Sequence, residues 1–191
     1  MIFYKAPSDY RRAVLSVMGH QLQGLTYCSS SDVDFVAELF PYPQLKKLSM
    51  SSDCTLSPFP AALPPVDTFL PHLMKLVIRI CLGQWSLLLE CHRPSLVLVR
   101  LACPHFEIAS RSHWKWSDIP NVWPNLRRLT FDNTERLEQN VLFEFIPKLK
   151  RLQLLTLPYD FVEFVRQMRN QTSTGLAITC QMLMPLAVVD H

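Results

Sequence analysis

The chain has 191 residues, 49% of them hydrophobic and 18% charged, which excludes an intrinsically disordered segment and leaves enough apolar mass for a sizeable core. Nineteen Lys and Arg against sixteen Asp and Glu give a formal net charge of +3, too little to mark the whole chain as a polycation. The longest apolar window, 85–101, is broken by Glu90, His92, Arg93 and Arg100, so no stretch has the length and apolarity of a bilayer span. The opening residues lack the basic region and long apolar run of a signal peptide. A cytoplasmic or nuclear location is therefore the expectation.

In chain order, the first pattern is helical. Tyr10, Ala13, Val14 and Val17 share one face, Ser8 or Asp9 is placed to cap, and Gly19 is placed to end the helix. A strand pattern, Leu22-Gln23-Gly24-Leu25-Thr26-Tyr27, follows from a start at His20. Val33, Val36, Leu39 and Phe40 then form a second helical stripe behind a Ser-Ser-Asp run.

From here one phrase returns five times: proline, any residue, leucine, two residues, an aliphatic, one residue, a large apolar residue. It starts at Pro43, Pro71, Pro94, Pro124 and Pro147, at spacings of 28, 23, 30 and 23 residues. Proline has no N–H for a sheet ladder but tolerates a strand's first position, and the phrase alternates with period two, so each copy predicts a short strand. Its last two apolar residues point inward: Leu48 and Met50, Leu76 and Ile78, Val99 and Leu101, Leu129 and Phe131, Leu152 and Leu154. Residues 85–91 suggest a buried helix. Leu137, Val141, Leu142 and Phe145 predict a helix between the Pro124 and Pro147 phrases. Phe161, Phe164, Val165 and Met168, behind Asp160, predict another after the Pro147 phrase, and Leu176-Ala177-Ile178 predicts a last strand. The two long spacings place irregular insertions at 51–66 and 103–122.

A fixed phrase at a period in the twenties is the pattern of a stacked-repeat protein. The expected fold is α/β: a curved parallel sheet on a concave side, helices on the convex side, and about seven repeats in one domain over 1–191. Neither Met1-Ile2-Phe3-Tyr4 nor the apolar run at 182–189 reads as a polar cap, so the chain is expected to belong to a longer array or to dock at its ends. The six cysteines, at 28, 54, 81, 91, 103 and 180, lack the paired spacing of zinc or disulfide frameworks and are expected as buried reduced thiols. His20 and His72 are expected to pack at the sheet edge.

With these phrases the chain resembles the leucine-rich-repeat proteins, above all the irregular intracellular repeats of the F-box/leucine-rich-repeat group. The five Pro-x-Leu-x-x-Leu-x-Leu phrases and the Gly19-to-Leu25 segment carry the resemblance, over roughly residues 8 to 180. It implies a protein-binding module, and within that group the substrate-recognition part of a ubiquitin-ligase receptor. No F-box, with its Leu-Pro-x-Glu start, is visible in the chain. The alternative is a structural or regulatory scaffold or inhibitor with no link to ubiquitin.

The five windows Pro43–Met50, Pro71–Ile80, Pro94–Leu101, Pro124–Phe131 and Pro147–Leu154 hold ten of the nineteen Lys and Arg and none of the sixteen Asp and Glu. In the predicted strands Lys47, Lys75, Arg79, Arg100, Arg128 and Arg151 fall at outward positions, which makes a basic groove the candidate site for an acidic or phosphorylated protein partner. Long solvated side chains filling exposed strand positions would give the same pattern. Nucleic acid is disfavoured because no aromatic residues interleave with these cations. Trp114 and Trp116 in the second insertion are candidate partner contacts, or fold back to seal that loop. Four scattered glycines cannot build a phosphate loop, and no nucleophile–base or metal-ligand spacing is present, so neither an enzyme nor a cofactor is expected.

Overall fold

In the computed structural model the described residues are 1–4, 6–29, 42, 44–52, 70–80, 93–102, 116–133, 139–171 and 175–181. They contain eight strands: β1 Ile2–Tyr4, β2 Gly24–Ser29, β3 Lys47–Ser52, β4 Lys75–Ile80, β5 Leu98–Ala102, β6 Arg128–Asn133, β7 Leu154–Pro158 and β8 Ala177–Gln181. All eight form one sheet in strictly sequential order, and every neighbouring pair is parallel. The stretch Met1–Tyr4, read from sequence as an uncapped apolar end, therefore contains the first strand, Ile2–Tyr4, which pairs with β2 from Ile2↔Thr26 to Tyr4↔Cys28.

Alternation sends one set of side chains into the core. Leu25, Leu48, Leu76, Val99, Leu129, Leu155 and Ile178 lie side by side in register. Each is 4% exposed or less, and each fully buried aliphatic contributes on the order of 1.5–3 kcal/mol of transfer free energy. A shared turn precedes six of the strands. The N–H of Leu22, Leu45, Leu73, Leu96, Leu126 and Leu152 donates to the carbonyl three residues earlier, on Gly19, Tyr42, Leu70, Arg93, Trp123 and Leu149. Side chains stitch neighbouring turns together: Ser95 Oγ donates to the Pro71 carbonyl at 3.0 Å, and Asn125 Nδ2 to the Pro94 carbonyl at 2.7 Å.

The turn corrects the fifth phrase. Leu152, not Leu149, holds the place of Leu126, so β7 starts three residues later than Pro147 predicts, and Leu154 pairs with Arg128 while Leu155 pairs with Leu129. The inward pair is Leu155 and Leu157. Leu154 lies on the opposite face, and Arg151 is in the turn instead of the strand.

Among the described residues the longer helices are α1 Ser8–Met18, α2 Ile119–Val122, α3 Gln139–Phe145 and α4 Val162–Gln171. Leu15 of α1, Leu142 and Phe145 of α3, and Phe164, Val165 and Met168 of α4 join the inward strand residues in one core cluster. The stripes predicted for α3 and α4 are the buried ones; Leu137 lies outside the described residues. Phe164 packs on Phe143 at 4.6 Å between ring centroids and edge-on to Phe161 at 6.1 Å. The predicted stripe of α1 is not the buried one. Arg11 and Leu15 face inward, whereas Tyr10 and Val17 are 60% and 70% exposed.

Pro7 holds the N-cap position of α1, with no side-chain capping bond. Gly19 is its C-cap, with right-handed backbone angles leading into a short 3₁₀ turn. Residues 116–122, read as irregular insertion, form a 3₁₀ turn (Trp116–Asp118) and α2. His20 and His72 are exposed rather than packed at the edge. Cys28 and Cys180 are reduced, outside any disulfide, and half-buried rather than buried. Ser51 and Ser52, read as the start of the first insertion, end β3. The other four cysteines, the rest of that insertion (53–66), residues 103–115 of the second, the stripe at Val33 to Phe40 and the segment 85–91 lie outside the described residues.

Candidate partner-binding face

The sheet face opposite the core carries three rows of side chains, set by register. The row nearest the strand starts runs Gly24, Lys47, Lys75, Leu98, Arg128, Leu154, Ala177. The middle row runs Thr26, Ser49, Val77, Arg100, Thr130, Thr156, Thr179. In the third row Cys28, Ser51 and Arg79 lie abreast.

The candidate cations therefore do not form a single row. Lys47 and Lys75 are register neighbours, and Arg128 follows two strands on, beyond Leu98. All three are exposed. Neighbouring strands are about 4.8 Å apart, so the Lys47 and Lys75 ammonium groups repel one another with no structural gain to the core. Arg79 stands alone in the third row, exposed. Arg151 is exposed in the turn before β7, one residue before Leu152, where Asn125 and Ser95 stand in their own turns.

Arg100 belongs to the middle row and is engaged. Between β5 and β6 the register slips: Leu101 faces Phe131, but Ala102 faces Asn133, which leaves Asp132 as the extra residue of a bulge. The Asp132 carboxylate takes a hydrogen bond from Arg100 Nε at 2.6 Å. The rest of the middle row is largely hydroxyl-bearing, with Thr179 Oγ1 donating to Thr156 Oγ1 at 3.2 Å and Val77 and Thr156 buried. The centre of the face is thus charge-compensated and closely packed.

Apart from Arg79, the uncompensated charge of this face sits at the strand-entry edge. Lys46 and Arg127 immediately precede Lys47 and Arg128, and Lys150 and Arg151 lie in the turn before β7. None of these six cations, nor Lys75, makes an ion pair among the described residues. Lys148 differs in lying 3.9 Å from Glu144, one helical turn back. The described acids lie elsewhere: Asp9 on α1, Asp118 in the 3₁₀ turn before α2, Asp132 near the far end of β6, Glu144 on α3, Asp160 just before α4 and Glu163 in its first turn.

Trp114 lies outside the described residues, and Trp116 begins the 3₁₀ turn before α2. Two contributors to the entry row escape a reading based on charge, namely Leu98 and Leu154, both half-buried. Leu98 is legible as an outward position of its phrase. Leu154 is legible only once Leu152-x-x-Leu155-x-Leu157, not the proline, is taken to mark the strand.

Among the described residues no group of His, Cys, Asp and Glu is placed to hold a metal ion, and no helix is long and apolar enough to cross a membrane. No family model and no curated protein matches the chain. Among solved structures, a Bacteroides fragilis protein determined as a structural-genomics target is similar over 96% of this chain and 74% of its own, at 12% identity and a TM-score of 0.38.

Proposed function

We propose that the chain is a leucine-rich-repeat-type solenoid that recognises an acidic segment of a protein partner along the strand-entry edge of its open sheet face. The solenoid reading is supported by the sequential parallel order and by the turn shared before six strands. Each unit from β3 to β7 offers a pair of inward apolar residues to its neighbours and a few outward residues on the other face, so the outward positions are free to vary for binding.

One observation carries the partner class: Lys47, Lys75 and Arg128 stand exposed in a single register row, backed by Lys46 and Arg127, with no acid paired to them among the described residues. A patch of one sign on a rigid sheet attracts the opposite charge and speeds encounter. Carboxylates or phosphates on an extended segment supply it. Arg100, paired with Asp132, adds no net charge to the middle of the face.

The test is fluorescence polarisation with two labelled pools of random peptides, one of net charge −4 and one neutral. The chain should retain the acidic pool, and Lys47→Ser/Lys75→Ser/Arg128→Ser should bind it at least about ten-fold more weakly, since three surface pairs sum to roughly 1.4 kcal/mol or more. Lys148→Ser, outside the edge, should bind as the parent does. Equal retention of both pools by the parent chain overturns the reading.

A further inference from the structure

Resting on that reading, we propose that the edge selects an extended ligand strand of the form acid-x-apolar-x-acid, crossing the strands at right angles over Lys47/Lys75, Leu98 and Arg128. The row is not uniformly basic: its order is cation, cation, apolar, cation, apolar. Only a ligand running across the strands meets all of these; one running along β4 meets Lys75, Val77 and Arg79 of a single strand.

The spacing fixes which ligand residues meet which side chains. With strands about 4.8 Å apart, the midpoint between Lys47 and Lys75 lies about 7 Å from Leu98 and about 12 Å from Arg128. Side chains on one face of an extended ligand recur every ~6.7 Å, so its third residue lies ~6.7 Å and its fifth ~13 Å beyond its first. A first-place carboxylate therefore bridges the two lysines, a third-place apolar side chain covers half-buried Leu98, and a fifth-place carboxylate reaches Arg128. By the seventh place the two spacings differ by about 3 Å, which ends the match before Leu154. An acid in the third place would lose its water over Leu98 with no cation directly beneath it, and that desolvation supplies the discrimination.

Isothermal titration of synthetic peptides tests this. One has glutamates in places one and five with leucine in place three. Its isomer, of identical composition and charge, has glutamates in places one and three with leucine in place five. The first should bind the parent chain at least five-fold more tightly. Leu98→Lys, which makes the row continuously basic, should abolish the preference, because the third place then also meets a cation; Leu98→Ser, a second variant with no new charge, should reduce the preference without reversing it, because only the fifth-place glutamate reaches Arg128. Both substitutions are at a partly exposed position, and far-UV circular dichroism verifies the fold. If the isomers bind equally while Lys75→Ser still weakens both, the motif is wrong and the acidic-partner reading stands. If neither peptide binds and the acidic pool also fails, both are wrong.

Discussion

Arg100 Nε and Asp132 Oδ2 meet at 2.6 Å because a bulge in β6 adds a residue opposite Ala102. The pair cancels the one cation in the middle row and leaves the net positive charge of the face at the strand-entry edge and on Arg79. Arg100 is 40% exposed, so solvent screens the pair and its contribution to stability is small. Asp132→Asn should lower unfolding free energy by only about 0.5 kcal/mol in urea titration. It should also tighten acidic-peptide binding, roughly two- to five-fold for one released surface cation. In an Arg100→Ser background most of that gain should vanish. A loss of binding in Asp132→Asn would show that the carboxylate, not the edge, organises the site.

The shift of β7 makes a sharp stability prediction. A strand led by Pro147 would bury Leu154 and expose Leu155, whereas Leu155 is fully buried and Leu154 half-exposed on the open face. Leu155→Ala should cost on the order of 2–5 kcal/mol, the cost of a core cavity. Leu154→Ala should cost under about 1 kcal/mol, because solvent already reaches the site. Chemical denaturation of the two variants decides between the registers, and equal costs would refute the one described.

That slip also shows how far the sequence carries. The inward residues of the first four phrases were legible because alternation and the leading proline agree there. At Pro147 they separate: the proline sits in a 3₁₀ turn, Ile146–Lys148, and the next leucine triplet takes over the strand. The face on which each strand cation stands was legible, but its row was not. Which cations share a row, and which one meets an acid, depends on register between strands and on one inserted residue at Asp132. Neither is encoded within any single phrase.

Gly19 and Tyr42 occupy equivalent places in successive turns, and a Cβ built on Gly19 would overlap the Tyr42 ring. The Gly19 backbone is right-handed helical, which any residue adopts, so the requirement is space and not conformation. Gly19→Ala should destabilise by about 1–3 kcal/mol through overpacking. In a Tyr42→Ala background the same change should be near neutral. A double-mutant cycle by thermal unfolding measures the coupling, and additivity of the two costs would refute the contact.

The buried face of α1 was the least legible element, because hydrophobic periodicity selects Tyr10, Ala13, Val14 and Val17 while the fold buries Arg11 beside Leu15. Arg11 is 2% exposed, with NH1 donating to the Ala6 carbonyl and the guanidinium 4.9 Å from the centroid of the Tyr27 ring. A carbonyl and a ring face give a desolvated guanidinium two partners, so an arginine takes a core position that periodicity assigns to an aliphatic. Arg11→Ala should therefore cost about 2–4 kcal/mol, from the lost charge-assisted bond, the lost ring contact and the cavity left behind. Arg11→Lys should recover only part of this, since an ammonium lacks the planar fork that stacks on a ring. Tyr10→Ser and Val17→Ser, on the stripe that the sequence favoured, should each change stability by less than about 0.5 kcal/mol. The reverse ranking in urea unfolding would turn the helix over and bury the apolar stripe instead.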